Sequence, residues 1–291
     1  MGSAESKGYC GLVNPNSTCY LNAVLQMLFM TKEFREHVKS LVRDGVSSDD
    51  NFIRELKKLF NELETQKNAV SAAGVTESLG ITDVHKQQDA AEHLHAILDQ
   101  TPGSSEFFKV STTERACVSC RDEHKQEPCQ DFLSLIISFK DSPEVENAVK
   151  AHVDQMCGQY QMNCHNCKKT TAWKSEVISF PELLSIQLRK FQMGSQGYSR
   201  NVREVIIRPE IKVYSHMYEL YAIVNHSVSS HGGHYYVDIK CEDEIWRRFD
   251  DHRVSETPSD EIPPCRSSDA YLLMYRPSVP SVPSACRCSI Q

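Results

Sequence analysis

The first hundred residues place apolar side chains three or four positions apart, which is the spacing of helices that bury one face. Three segments show this pattern, at 20–30, 52–63 and about 86–99. Ser17 or Thr18 precedes the first segment, and both are residue types that cap a helix N-terminus. The pattern therefore predicts a mainly helical N-terminal part.

From about residue 107 the pattern changes to short runs of β-branched and aromatic residues between turn signals, which is typical of strands. A single helix pattern, at 141–157, interrupts them. Helices followed by antiparallel strands predict an α+β fold, and a cleft between the two parts is the natural place for a site. The runs are 132–139, 174–191, 218–224, 234–240, 245–249 and 270–275.

Composition and charge are those of an ordinary globular domain, with 40% hydrophobic and 24% charged residues and a net charge of −7. The acidic balance argues against a nucleic-acid binder, because such binding depends on Lys and Arg. We find no apolar leader and no run of about 18 apolar residues, so we expect a cytoplasmic or nuclear protein. Residues 1–7 are expected to be flexible, and the Pro- and Ser-rich residues 278–291 to be a disordered tail.

Two pairs of cysteines have the spacing of a metal-binding knuckle. Cys117 and Cys120 form one C-x-x-C pair, and Cys164 and Cys167 form the other. In a reducing compartment such cysteines are metal ligands more often than disulfides. Four thiolates close a tetrahedral zinc shell, so the pairs predict a structural Zn²⁺ ion and no catalytic one. The plainer alternative is four buried thiols without a metal.

Cys19 lies where a polar segment meets the first predicted helix. The positive end of a helix favours thiolate, the form of cysteine that attacks a carbonyl carbon. Asn14, five residues earlier, has a short amide that could donate a hydrogen bond to an oxyanion. A lone cysteine before an apolar helix is more simply a buried thiol, so the nucleophile hypothesis depends on the rest of the chain.

A thiolate nucleophile needs an imidazole that exchanges protons with the leaving amine. His231 and His234 lie beside two glycines, directly before a predicted strand that gives His234 a rigid platform. Asp250 and Asp251 follow the next strand, where a carboxylate would orient an imidazole. Taken alone, the histidine is more simply explained as a loop residue, and the paired aspartates as a solvated turn. Their order along the chain after Cys19 favours a catalytic set.

The segment around the cysteine resembles the Cys box of the ubiquitin-specific proteases, G-L-x-N-x-G-N-T-C-Y-x-N-x-x-L-Q. Residues 11–26 read GLVNPNSTCYLNAVLQ, with Asn16 and Ser17 in place of the family's Gly and Asn. The resemblance implies that Cys19 is the nucleophile and that Asn14 supplies the oxyanion donor. If that Gly takes a positive φ, Asn is the residue best able to replace it.

The segment at 218–236 looks like the His box of the same family. In that box the second of two close histidines is the base, which implies His234 in preference to His231. Asp250 matches the acid that orients the imidazole, and Asp251 matches a second acid that sometimes assists. The resemblance thus supplies the base and its orienting group.

Two further segments are similar to the family. Residues 87–94 resemble the helix Q-Q-D-A-x-E-F-L, which implies that Gln88 and Asp89 contact the tail of ubiquitin, with Asp89 as a partner for arginine. The alternative is that Asp89 only complements the helix dipole. Residues 270–275 resemble the closing strand, so the family's boxes occur in order across about 8–277.

The resemblance implies a papain-like cysteine peptidase with a helical thumb, a β palm and zinc-ribbon fingers at about 107–180. It further implies a thiol-dependent deubiquitinase that hydrolyses the bond after the C-terminal glycine of ubiquitin or a ubiquitin-like modifier. The altered residues Asn16 and Ser17 support an alternative, a catalytically impaired scaffold that binds ubiquitin. A zinc-ribbon binder of nucleic acid is disfavoured by the charge.

The last four residues, Cys288-Ser289-Ile290-Gln291, match a prenylation box, and a terminal Gln favours farnesyl. Cys286 could carry a palmitoyl group, and two lipids would anchor the chain stably to a membrane. The alternative is a chance match. Gly2 also fits the looser pattern for N-terminal myristoylation.

Overall fold

The computed structural model describes residues 8–41, 51–115, 128–139, 142–157, 159–163, 168, 170–194, 197–229, 232–257 and 266–278. The helices within these residues are α1 Cys19–Met30, α2 Lys32–Ser40, α3 Asn51–Thr65, α4 Ala73–Ser78, α5 Ala90–Gln100, α6 Ser105–Phe108 and α7 Val145–Met156. The first strands along the chain are β1 Leu12–Val13, β2 Val70–Ser71, β3 Val110–Arg115, β4 Pro128–Phe132, β5 Leu135–Ile137, β6 Gln159–Asn163, β7 Thr170–Ser179, β8 Leu184–Leu188 and β9 Phe191–Gly194. They are followed by β10 Gly197–Arg200, β11 Val205–Ile206, β12 Glu210–Val213, β13 His216–Ser229, β14 Gly232–Lys240, β15 Trp246–Asp250, β16 Arg253–Glu256, β17 Arg266–Ser267 and β18 Ala270–Pro277.

The helical N-terminal part is as predicted, with α1, α3 and α5 at the three periodic segments. Helix α1 is buried from Cys19 through Phe29, because it lies between α5, α2 and strand β14. The prediction of a side-chain cap by Ser17 or Thr18 is wrong. Thr18 occupies the N-cap position of α1, but its side chain makes no capping hydrogen bond and its hydroxyl instead contacts the amide oxygen of Asn14.

The central sheet carries the site. Its strand order is β16-β15-β14-β13-β18-β8-β5, with β12 pairing to β13, and all pairs are antiparallel except β5 with β8. The predicted run at 174–191 is divided between β7 and β8 around Pro181, which has no N–H to donate to a ladder. The predicted helix at 141–157 is α7, which packs on β5 and β12.

Both faces of the central strands are buried. Along β13, Ala222 and Val224 face the core beneath α1, α3 and α5, whereas Ile223 faces the core beneath α7. Along β18, Leu272 and Leu273 divide in the same way. This alternation follows from the two-residue period of a strand. It leaves the ends of β14 and β15, next to α1, as the edge where polar groups meet.

A second sheet of four strands, in the order β4-β3-β7-β6, occupies the region predicted as fingers. The cysteine pairs Cys117/Cys120 and Cys164/Cys167 lie outside the described residues, as do Cys286 and Cys288. Among the residues that the structure describes, no helix has the length and apolar character needed to cross a membrane.

Candidate active site

Cys19 is the first residue of α1, and the residue is buried, with 4% of its surface exposed. The backbone N–H of Tyr235 donates to Cys19 Sγ at 3.5 Å, and Gln87 Nε2 donates to the same atom at 3.7 Å. Free N–H groups also point out of the first turn of a helix. The sulfur of Cys19 therefore lies among N–H donors at the start of α1.

His234 lies against both Cys19 and Asp250. Its Nε2 is 2.6 Å from Asp250 Oδ1, which leaves Nδ1 as the ring nitrogen for the thiol. The hydrogen bond with Asp250, then the contact with Cys19, raises the pKa of His234 to about 10. The same hydrogen bond with His234 lowers the pKa of Asp250. The geometry therefore suits an imidazolium held between the Asp250 carboxylate and the sulfur of Cys19.

Of the two histidines in the predicted loop, the structure describes His234, whereas His231 lies outside the described residues. A third histidine, His226, lies beneath the same strand and is buried. Burial lowers the pKa of His226 to about 4, so it is neutral at physiological pH. A Cβ on Gly233 would lie 2.2 Å from His226 Nε2, so only glycine fits above this ring.

Asp251 contacts the nucleophile segment. Its carboxylate accepts hydrogen bonds from Asn14 Nδ2 at 2.9 Å and from Asn22 Nδ2 at 2.8 Å, and its carbonyl accepts the N–H of Leu12 at 2.8 Å. The backbone of Asp251 has a φ of 51°, a left-handed conformation that costs free energy outside glycine. The turn after β15 is thus bent so that one aspartate meets His234 and the next meets the Cys19 segment.

Asn14 is fixed on both sides of its amide. Its Oδ1 accepts the backbone N–H groups of Asn16 and Thr18, both at 3.1 Å, and its Nδ2 donates one hydrogen to Asp251. The role of Asn14 as an oxyanion donor stays a prediction. The second hydrogen on Nδ2 is the one that could serve it. Asn16 has no positive φ, so the backbone of this loop does not require the family's glycine.

A cavity of about 600 Å³ begins beside Gly233 and runs between α5 and the sheet. Asp89 lines it and also caps α5, because its Oδ1 accepts the N–H groups of Ala91 and Glu92 at 2.7 and 3.2 Å. Its Oδ2 accepts the hydroxyl of Tyr271 at 2.5 Å. Asp89 therefore interacts with the N-terminus of α5, as the alternative interpretation predicts, and it also lines the channel. The other lining residues are Gln87, Gln88, Glu92, Ile136, Gln187, Leu188, Arg189, Lys190, Phe191, His226, Tyr235 and Tyr271.

Sequence reasoning missed Gln87. Its Nε2 donates to Gly233 O at 2.6 Å as well as contacting Cys19 Sγ. The only signal in the sequence is its place at the start of the Q-Q-D-A-like segment, where the resemblance pointed to Gln88 and Asp89. Both glutamines line the channel, and nothing in the local pattern shows which of them reaches the sulfur.

Among the described residues, one group of metal-type ligands comprises His234, Asp250 and Asp251, whose ligand atoms lie within 4.8 Å of one another. His234 and Asp250 are hydrogen-bonded to each other, and Asp251 is hydrogen-bonded to Asn14 and Asn22. The four cysteines predicted to bind zinc are not among these three residues, so this group does not test the prediction of a zinc site.

A family model described as ubiquitin carboxyl-terminal hydrolase matches residues 10–275. The chain is 28% identical over 288 residues to ubiquitin carboxyl-terminal hydrolase 15 of Schizosaccharomyces pombe, covering 89% of this chain and 26% of that protein. It is 24% identical over 313 residues to ubiquitin carboxyl-terminal hydrolase 12 of Salmo salar, covering 87% of this chain and 83% of that protein. The chain spans little more than a quarter of the length of the first relatives it matches.

The fold is similar to that of a chain in the SAGA Ubp8/Sgf11/Sus1/Sgf73 DUB module, solved bound to ubiquitin aldehyde. The TM-score is 0.71 at 23% identity, over 96% of this chain and 72% of that chain. A second structure, of yeast SAGA DUBm with a mutant Sgf73, matches with a TM-score of 0.70, also at 23% identity, over 96% of this chain and 71% of that chain. At this identity the likeness shows the shared mixed α/β architecture.

Proposed function

Because the chain belongs to the ubiquitin carboxyl-terminal hydrolase family, we propose that it is a thiol-dependent deubiquitinase. It would hydrolyse the peptide or isopeptide bond after the C-terminal glycine of ubiquitin or a ubiquitin-like modifier. The observation that carries the proposal is the contact of one imidazole, His234, with both Cys19 and the Asp250 carboxylate. A scaffold that only binds ubiquitin would have no need of this arrangement.

In this mechanism Cys19 Sγ attacks the carbonyl carbon of the terminal glycine, and the electron pair of the C=O bond moves to oxygen. Asn14 and N–H groups at the start of α1 would donate to that oxyanion. His234, oriented by Asp250, gives its proton to the leaving lysine amine, and a thioester remains on Cys19. His234 then takes a proton from water as the oxygen of that water attacks the thioester carbonyl carbon. The C–S bond breaks, the sulfur leaves as the thiolate beside the protonated His234, and the modifier leaves as a carboxylic acid that gives its proton to solvent.

The channel supports ubiquitin as the substrate. In the resembled family the modifier enters as an extended tail that carries arginines and ends in two glycines. Asp89 offers a carboxylate to such an arginine, although it shares that carboxylate with the α5 N-terminus and Tyr271. Gln88 lines the same cavity. Gly233 and Tyr235, on the strand that carries His234, line the same cavity, so the channel leads to the catalytic groups.

The test is reaction with ubiquitin that carries an electrophile at its C-terminus. We expect a covalent adduct with the parent chain and none with Cys19→Ala, whereas Cys241→Ala, at another buried thiol, should react like the parent. A folded parent chain that forms no adduct with ubiquitin or with related modifiers would contradict the proposal. If such a chain still bound ubiquitin, the scaffold function would be favoured.

We also propose that Cys117, Cys120, Cys164 and Cys167 hold a structural Zn²⁺. The support is the register of the four-stranded sheet. Strand β3 ends at Arg115, opposite Lys174, and the β6–β7 hairpin closes at Asn163 opposite Thr170, so both cysteine pairs follow strands at the same end of the sheet. A bound ion would hold the two connections together and take no part in the reaction. Metal analysis of the purified chain should find about one zinc per chain, and zinc well below that level would refute the site.

The cytoplasmic or nuclear location and the lipid anchor rest on the sequence alone. Farnesylation of Cys288 and palmitoylation of Cys286 would tether the chain to a membrane through its tail. Metabolic labelling with a farnesyl analogue should mark the parent chain and not Cys288→Ser. Equal labelling of both would end the proposal.

A further inference from the structure

Gln87 connects the nucleophile to the strand that carries the base. One carboxamide nitrogen, Nε2, lies 2.6 Å from the carbonyl oxygen of Gly233 and 3.7 Å from Cys19 Sγ. A primary amide has two N–H groups on that nitrogen, so it can donate to both acceptors at once. Gly233 directly precedes His234, which means that the amide fixes the backbone next to the imidazole.

The side chain fits there because Gly233 is bare. A Cβ at this position would lie 3.0 Å from Gln87 Oε1, as well as 2.2 Å from His226 Nε2. The absence of a side chain therefore lets the carboxamide lie flat on the strand. As a result, three consecutive residues of β14 help to position groups around the sulfur. The carbonyl of Gly233 holds the Gln87 amide, His234 contributes its imidazole, and Tyr235 donates its backbone N–H.

We propose that Gln87 is a further catalytic residue of this site. One N–H of its amide stabilises the attacking thiolate of Cys19, and the other holds Gly233 so that His234 keeps its distance from the sulfur. The proposal deepens the proposed function and rests on it for the reaction itself. The hydrogen bond to the sulfur, however, belongs to the free protein and can be measured without ubiquitin.

Asn14 does not duplicate this contact. Its amide is bonded to Asp251, Asn16 and Thr18 and braces the loop before the nucleophile. A purely structural role for Gln87 would predict a loss of stability on substitution with no change in the chemistry of the sulfur. The two roles therefore differ in how the reactivity of Cys19 depends on pH.

The experiment compares Gln87→Met, which keeps the length and removes both donors, with Gln87→Glu, which places acceptors beside the thiolate. Gln100→Met, at the exposed end of α5, is the matched control. Iodoacetamide alkylation is followed from about pH 5 to 9 by mass spectrometry of the peptide that contains Cys19. We expect Gln87→Met to move the alkylation profile to higher pH and slow the reaction at neutral pH by about 10-fold, because a donor to the charged sulfur is lost.

Gln87→Glu should shift the profile further in the same direction, since a carboxylate repels the thiolate. With a fluorogenic ubiquitin substrate, kcat should fall about 10-fold for Gln87→Met while KM changes by less than about twofold. An alkylation profile identical to that of the parent in both variants would overturn the proposal, and a lowered thermal unfolding temperature with that unchanged profile would assign Gln87 a purely structural role. A shifted profile in a chain whose parent form does not react with the ubiquitin electrophile would support Gln87 and refute the proposed function.

Discussion

The nucleophile segment, residues 11–22, and the base hairpin, residues 233–251, meet at the same point but are held by different forces. The base hairpin is part of a continuous ladder, because β14 pairs with β13 on one side and with β15 on the other. Before α1 begins, the nucleophile segment has the two-residue pairing of β1 with β2 and a few separate backbone hydrogen bonds. Side-chain hydrogen bonds to Asp251 join it to the base hairpin. His234 is therefore placed by a continuous backbone ladder, whereas Cys19 is placed by the packing of α1 and by separate polar contacts of the loop before it.

Two adjacent aspartates each bond to one of these two segments. Asp250 faces the base hairpin and bonds to His234, and Asp251 faces the nucleophile segment and bonds to Asn14 and Asn22. Asp251 has a left-handed backbone, and both of its carboxylate oxygens accept hydrogen bonds from the nucleophile segment. Substitutions at the two positions should therefore have effects of different kinds.

The largest effect is expected for Asp250→Asn. Loss of the carboxylate removes the main cause of the raised pKa of His234, so the pKa falls and the imidazolium loses its proton at lower pH. We expect kcat/KM for a fluorogenic ubiquitin substrate to drop on the order of 100-fold or more. The alkaline limb of its pH profile should move to lower pH. A profile that keeps the parent's alkaline limb would contradict the role of Asp250.

An intermediate effect is expected for Gly11→Ala, which tests how the nucleophile segment docks on the turn. An added Cβ would lie 2.6 Å from the carbonyl oxygen of Asp251 and 2.7 Å from that of His252. Backbone atoms cannot turn aside, so we expect a loss of about 2 kcal/mol of unfolding free energy. Alkylation of Cys19 should change in the same variant, because the segment is displaced.

Thermal unfolding and Cys19 alkylation measure the two consequences of Gly11→Ala. Val13→Ala is the control, because this side chain belongs to the same segment but is 43% exposed. Unfolding and alkylation identical to those of the parent would show that the close approach of Gly11 to the turn is dispensable.

The smallest effect is expected for Asp251→Asn. In the parent chain one carboxylate oxygen accepts from Asn14 and the other from Asn22. An asparagine side chain has a single oxygen, so one of these two donors loses its charged acceptor, which lowers the free energy of unfolding by about 1–2 kcal/mol. We expect kcat to fall about 10-fold while the alkaline limb of the pH profile stays where it is. A limb that moved as far as in Asp250→Asn would show that the two carboxylates share one task.

The sequence predicted the long elements well, because their periodicity reports burial directly. Helices α1, α3 and α5 and strands β13, β14 and β18 coincide closely with predicted segments. Helix α2 was missed because its nine residues are mostly charged and bury only Phe34 and Val38. The pairing of β5 with β8 is parallel, which no local pattern could indicate, since it depends on the α7 segment crossing between them.

By itself the sequence determined the candidates for the chemistry, Cys19, His234 and Asp250, because short motifs keep these residues in recognisable local settings. Only the tertiary structure decided the task of Asp251 and the contact of Gln87 with the sulfur. The hydrogen bond from Asn14 to Asp251 joins residues 237 positions apart, and it depends on one left-handed turn residue. Such contacts follow from how the sheet edge meets α1, and packing between distant segments leaves no period in the sequence.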